Sequence, residues 1–242
     1  IEHLDFHSGI RGVPAEWGAP VTRWRQHAAR GTYSALLRLL KPVYIARLWW
    51  RGRAEPPYRE ALAERLGHHR GAASAGWLWV HAVSLGETRA AAALIDALRA
   101  RRPGLQLLLT NSTATGRDAG RELLRDGDRQ TWLPFDTPGA VARFLAHFRP
   151  AVGVLMETEV WPNLLQAAQG RGVPLVLANA RLSEKSRRRG ERFDALLRPA
   201  IAAFTCVLAQ TEADAQRLRG AGARDVRVCG NLKYDMAPDP AL

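Results

Sequence analysis

The sequence predicts an α/β fold with a doubly wound, mostly parallel sheet, preceded by amphipathic helices. Three observations carry the expectation. Seven short apolar runs recur along the chain, at residues 77–83, 105–110, 131–135, 151–156, 174–179, 206–210 and 226–230. Helical patterns of about ten residues or more fall between them. The runs are apolar almost throughout, as strands covered on both faces require. Right-handed crossovers then wind the sheet in both directions.

Each element follows in order. Residues 1–30 lack sustained periodicity and carry several Gly and Pro breaks, so an extended arm is expected. Residues 31–70 read as amphipathic helices. Tyr33, Leu36, Leu37, Leu39, Leu40, Val43, Tyr44, Ile45, Leu48, Trp49 and Trp50 alternate there with Arg38, Lys41, Arg47, Arg51 and Arg53. That mixture suits a helix lying on an anionic membrane surface, and equally a helical hairpin packed on the protein body. Residues 71–235 hold the strand–helix alternation, with helices expected at 88–102, 115–126, 138–148, 161–172, 186–204 and 211–222. Residues 236–242 begin a linker.

Composition excludes several classes. The 47% hydrophobic content supports a buried core, and no segment reaches the length of a membrane span. No secretion signal is visible, so the protein is expected on the cytosolic side; a start at Ile1 without Met suggests processing or a longer parent. The net charge of +12 comes from 35 cations of which three are lysines, Lys41, Lys185 and Lys233. Such charge predicts attraction to anions in general. A nucleic-acid partner is not expected, because the basic and aromatic residues mix in the amphipathic stretch rather than along a groove. Cys206 and Cys229 are expected as buried free thiols, with no metal-ligand spacing.

In doubly wound sheets ligands bind at the carboxyl ends of the strands. Those turns here are Ser84-Leu85-Gly86-Glu87, Thr110 to Thr113, Glu157 to Asn163, Asn179 to Ser183, Gln210-Thr211 and Gly230-Asn231. Glu87, at the start of a helix, has two readings: an acid favoured by the helix dipole, or a general base for something docked at the turn. The METEVWPN segment, with Glu157, Glu159, Trp161 and Asn163, suggests a small-molecule or carbohydrate rim, an aromatic face with acids and an amide for hydroxyls. No dinucleotide fingerprint, P-loop, HExxH or GxSxG occurs. His81 precedes Ser84 without an evident third partner and is expected to be structural.

With those turns in place the chain resembles the transferases of 3-deoxy-D-manno-octulosonic acid (Kdo), which act on the lipid A precursor in lipopolysaccharide assembly. The matching segments are RLWWRGRAEPPYREALAERLG, HAVSLGE, LLLTNSTATG, LPFDTPGAVARFL, METEVWPN, NARLSEKS and GNLKYD, in family order over roughly residues 33–235. The resemblance implies a Rossmann-like acceptor domain, the N-terminal half of a GT-B glycosyltransferase. It implies CMP-Kdo as donor, bound by a C-terminal domain that this chain lacks, lipid IVA as acceptor, inversion at the anomeric carbon, and neither metal nor cofactor. By itself this half is expected to be inactive.

Glu87 becomes the implied catalytic base. A helix start lowers a carboxylate's pKa, so closure by the donor domain would be needed to raise it. Gly86 would let the acceptor approach the backbone. Glu157 and Glu159 are implied beside the base; Asn111, Ser112 and Thr113 are placed to donate to a phosphate or sugar, or to cap a helix. Arg181, with Lys185, Arg187, Arg188 and Arg189, would meet acceptor phosphates or form a solvated face. Ser84, Trp161, Asn163 and Asn179 complete the expected substrate-binding set. The implied location is the cytoplasmic face of the bacterial inner membrane. The alternative is a non-catalytic, membrane-attached module for an anionic glycolipid.

Overall fold

A computed structural model describes residues 22–232 of the chain. A long helix, α1 (Arg23–Arg51), leads through a 3-10 turn (Pro56–Arg59) and the short α2 (Leu62–Arg65) into the alternating part. That part runs β1 (Leu78–His81), α3 (Leu85–Arg101), β2 (Leu107–Asn111), α4 (Ala114–Arg121), β3 (Arg129–Trp132), α5 (Pro138–Phe148) and β4 (Val152–Met156). It continues with α6 (Pro162–Gln169), β5 (Leu175–Ala180), α7 (Glu184–Glu191), α8 (Asp194–Ile201), β6 (Cys206–Ala209), α9 (Glu212–Gly220) and β7 (Val226–Val228). All seven strands pair in parallel in the order β3-β2-β1-β4-β5-β6-β7. This is the Rossmann-like, doubly wound arrangement expected from the sequence. The direction of winding reverses between β1 and β4, and in such sheets ligands bind at the carboxyl ends of the strands beside that switch point.

Two apolar layers cover the sheet. One gathers Trp79, Leu108, Phe144, Leu155, Leu165 and Val207 under α5, α6 and α8; the other gathers Val80, Ile95, Leu107, Leu109 and Met156 under α3. Alternation along β1 explains the division, Trp79 pointing to one face and Val80 to the other. Gly153 on β4 is dictated by Trp79, because a Cβ there would collide with that ring and with Leu175.

The amphipathic segment differs from expectation. It is one 29-residue helix rather than a hairpin, and it starts at Arg23, inside the stretch expected as an arm. The rest of that arm, residues 1–21, and the expected linker lie outside the described residues. One side of α1 docks on the body, against α6 and α8. Two of its anchors are polar: Tyr33 donates to Asp136 Oδ2 (3.0 Å) and Ser34 to Asn163 Oδ1 (3.1 Å). The opposite side leaves Leu36, Leu39, Val43, Trp49 and Trp50 exposed. Among the described residues no helix is long and apolar enough to cross a membrane. Cys206 is only half-buried and Cys229 is exposed, correcting the expectation of buried thiols; β7 is an edge strand and leaves its end open.

Asp136 caps α6 from a distance. Its carboxylate accepts the Leu164 N–H at Oδ1 (2.7 Å) and the Asn163 N–H at Oδ2 (3.0 Å). Burial pushes its pKa up to about 6, against the pull of those two amides and of Tyr33. A carboxyl whose folded pKa exceeds its unfolded value contributes stability that is complete below the unfolded pKa and is lost as pH rises through the folded one. Comparison with Asp136→Asn is expected to show this as a fall in wild-type stability between pH 3.8 and about 6 that the variant lacks. At neutral pH the variant should also lose about 1–3 kcal/mol, because an amide offers one acceptor to two backbone donors. Chemical denaturation across that pH range reads both effects, and parallel pH curves would contradict the assignment.

Candidate active site

The switch point between β1 and β4 collects the acids that the sequence singles out. β1 ends at His81, and Ser84 turns the chain into α3 as its N-cap. The Ser84 hydroxyl accepts the Glu87 N–H (3.4 Å) and donates to Glu87 Oε1 (3.1 Å), while the Val83 N–H donates to Oε2 (2.9 Å). Glu87 is thus a reciprocal capping partner, satisfying a backbone donor that the turn would otherwise strand. The two readings of this acid are therefore compatible. Each carboxylate oxygen keeps a lone pair beyond those bonds.

Glu87 has a raised pKa. Burial is the largest cause, opposed by the Val83 amide, and the charges of Glu159 and Glu157 add to it. Burial of the turn and the two nearby acids thus already shift this carboxylate in the direction that the resemblance assigns to domain closure. A base nearer its working pH accepts a proton more readily in the transition state.

The β4 loop provides those acids. Glu157 follows the strand in a left-handed conformation (φ 60°), buried, with Oε2 at 3.1 Å from Arg181 Nη2. Asn179, near the end of β5, is also left-handed (φ 53°). At Glu157 this backbone costs about 1–3 kcal/mol, whereas an asparagine adopts it readily. Asn179 accepts the Leu232 N–H at Oδ1 (3.2 Å), and its Nδ2 is buried without a partner among the described residues.

Glu159 Oε2 accepts the Trp161 indole N–H (2.8 Å) and lies 3.8 Å from His81 Nε2. His81 is fully buried, and its Nδ1 faces the Thr110 carbonyl (3.0 Å), which places the ring proton on Nδ1. Nε2 has no hydrogen bond among the described residues and points toward the acid. Full burial and the bond from Nδ1 to Thr110 fit the structural role expected for His81, with Glu159 as its neighbour on the Nε2 side. The signal for that neighbour was available in principle, since the winding order makes β1 and β4 neighbours.

Other expected residues are placed differently. Gly86 lies exposed at the first turn of α3, and a Cβ there would meet open space. Asn111 commits its amide inside the protein, donating to the Ala82 carbonyl (2.9 Å) and Thr88 Oγ1 (3.1 Å) and accepting from Gln130 (2.9 Å). Asn163 likewise donates to the Asp136 carbonyl (2.6 Å) and accepts from Ser34. Thr113 caps α4 through Gly116 N–H (3.1 Å) and donates to the Val83 carbonyl (2.9 Å). The Ser112 N–H reaches the same carbonyl (3.3 Å), so the β1 and β2 turns are tied at Val83. Of the basic cluster, Arg181 joins the acids, whereas Arg187 and Arg188 pair with Glu184 on exposed α7. Of the expected residues, Ser84 is bonded to Glu87, Trp161 to Glu159 and Arg181 to Glu157, and the charges of Glu157 and Glu159 act on Glu87. A carboxylate whose proton affinity is raised, with two further acids nearby, is chemically able to accept a proton.

A sequence model of the family described as 3-deoxy-D-manno-octulosonic-acid transferase (kdotransferase) matches residues 60–236. The 3-deoxy-D-manno-octulosonic acid transferase of Bordetella pertussis is 47% identical over 217 residues, covering 86% of this chain and 50% of the relative. That of Haemophilus influenzae is 32% identical, with coverages of 87% and 50%. The chain spans about half the length of these curated relatives. Among solved structures, the UDP-GlcNAc 2-epimerase from Neisseria meningitidis superposes with a TM-score of 0.49 at 16% identity, over 66% of this chain and 48% of its own.

Proposed function

The chain belongs to the family of 3-deoxy-D-manno-octulosonic-acid transferases, and from that membership we propose that it forms the acceptor-binding half of a GT-B glycosyltransferase moving Kdo from CMP-Kdo to lipid IVA with inversion. The observation that carries the reading is Glu87, half-buried at the switch point of the sheet with its proton affinity raised by burial and by Glu159 and Glu157. In the proposed step Glu87 takes the proton from a hydroxyl of the acceptor sugar. The freed oxygen bonds to the anomeric carbon of Kdo as the bond to the CMP phosphate breaks, and CMP leaves with the electron pair. Glu159, held by Trp161, and Glu157, held by Arg181, keep the base receptive and face the sugar hydroxyls. The donor is assigned to the other half of the full-length protein.

The exposed row of α1 supports attachment to an anionic membrane, on the cytoplasmic face of the inner membrane. Aromatic and aliphatic side chains there would enter the headgroup boundary while Arg38 and Arg47 meet lipid charge. Flotation with anionic vesicles is expected to carry the wild-type protein, and Trp49→Glu with Trp50→Glu should leave it in the bottom fraction; equal flotation of both would remove α1 from this role. The function itself is tested by supplying the full-length protein with CMP-Kdo and lipid IVA and following the mass of the lipid. A gain of one or more Kdo units is expected. Lipid binding without transfer would favour the non-catalytic module instead.

A further inference from the structure

We infer that the cavity between α1 and the turns after β2 and β3 is a slot for one acyl chain of the anionic glycolipid acceptor, an inference that rests on the transferase reading above. The cavity encloses about 220 Å³. Its walls are Tyr33, Leu37, Leu40 and Tyr44 from α1 and Leu133 and Phe135 from the segment after β3. Tyr44 meets Phe135 edge to face, with ring centroids 4.4 Å apart, which closes one side. Tyr33 and Asp136, also in the wall, are bonded to each other and leave little polar demand for an occupant to meet.

Continuity identifies the occupant. Leu40 and Tyr44 are 46% and 39% exposed, so the mouth merges with the outward apolar row of Leu36, Leu39 and Val43. At the other end the wall is Ser112 and Trp161. Ser112 is bonded to Val83, whose N–H holds Glu87, and Trp161 is bonded to Glu159. The cavity wall therefore includes two residues, Ser112 and Trp161, that are bonded to the turns carrying the acids. A peptide would bring amides into a space that offers few free partners, at a cost for each one buried; a hydrocarbon chain makes no such demand.

The inner end also carries charge suited to an anionic head. Arg65 is 2% exposed, donates from Nη2 to the Ser112 carbonyl (3.3 Å), and keeps its Nε without a partner among the described residues. Its charge rests on the Trp132 ring (3.9 Å), while neighbouring Glu64 pairs with Arg117 (3.5 Å). Lys41, exposed on α1, adds a second cation to the wall. Apolar at one end and cationic at the other, the cavity matches an acyl chain and the anionic headgroup beside it.

The test uses the full-length protein and two probes. With cis-parinaric acid, a fluorescent fatty acid, in detergent-free buffer, the wild type is expected to give saturable single-site binding, weakened about tenfold or more by Leu37→Trp, which fills the cavity. Leu40→Trp, at the partly exposed mouth, serves in the same way if Leu37→Trp does not show a native melting transition. Absence of saturable binding, or binding unchanged by the tryptophans, overturns the slot. With acylated and fully deacylated acceptor, Leu37→Trp should raise KM about tenfold for the acylated form alone; an equal rise for both also overturns it. Failure of the wild type to transfer Kdo to either acceptor would sink the transferase reading, and the fatty-acid measurement would still decide the slot.

Discussion

Glu87→Gln in the full-length protein is expected to lower Kdo transfer by about 10²–10⁴-fold, the range of a positioned general base, while leaving the fold intact. Glutamine isolates the chemistry because it preserves the cap. A side-chain oxygen can still accept the Val83 N–H, as in capping boxes built with either residue. Alanine would also strip the turn of its reciprocal bond to Ser84, so a loss of activity would mix two causes. Initial rates with CMP-Kdo and lipid IVA, beside thermal melting of the same samples, make the comparison. Wild-type rates should fall as pH drops through the Glu87 pKa, which lies above its ordinary 4.5. The acid limb follows because protonation removes the acceptor of the hydroxyl proton. Transfer by the glutamine variant at wild-type rate would assign the base to another residue.

Trp79→Ala is expected to have the largest effect on stability. The ring is fully buried, sits edge to face on Phe144 at 5.1 Å, and lies over the space that Gly153 leaves open. Its indole N–H donates to Thr110 Oγ1 (2.9 Å). Removing a buried tryptophan costs about 3–5 kcal/mol, a large fraction of the roughly 5–15 kcal/mol that holds a domain folded. Denaturant titration should show an early transition or an unfolded protein. The defect should reach the switch point too, because Thr110 also holds Nδ1 of His81, two residues further along β1. Trp79→Phe keeps most of the volume and drops the hydrogen bond, so a smaller loss of about 1–2 kcal/mol is expected. A loss near zero for alanine would contradict the placement of this ring at the centre of the layer under α5 and α6.

The strand–helix alternation was legible because each strand is an apolar run between polar turns, and helix α5 stands at the expected 138–148. Misplaced boundaries have physical reasons. β3 was expected at 131–135 and runs Arg129–Trp132, since an edge strand tolerates Arg129 and Gln130 at its start. The helix expected over 186–204 is two, α7 and α8, broken at Phe193. Apolar spacing continues across that break, but α7 buries no residue, so packing does not hold the two in line. The acids at positions 87, 157 and 159 were legible as a group because strand ends converge in a wound sheet. Asn111 and Asn163 were not, because an amide beside a crevice reads alike whether it serves a ligand or the chain's own carbonyls. Arg65 was hidden for a related reason: its burial on Trp132 depends on how α2 packs, which spacing does not encode.

β7, only three residues long, forms one border of the sheet among the described residues. A border strand offers unpaired amides and carbonyls on which another molecule can lay down an eighth strand and begin a filament. Here the invitation is brief, and it carries a tethered charge, Arg227 joined to Asp225 at 3.0 Å. Lengthening β7 with β-branched residues, or making Arg227 apolar, would turn this rim into a template for fibrous growth at high concentration.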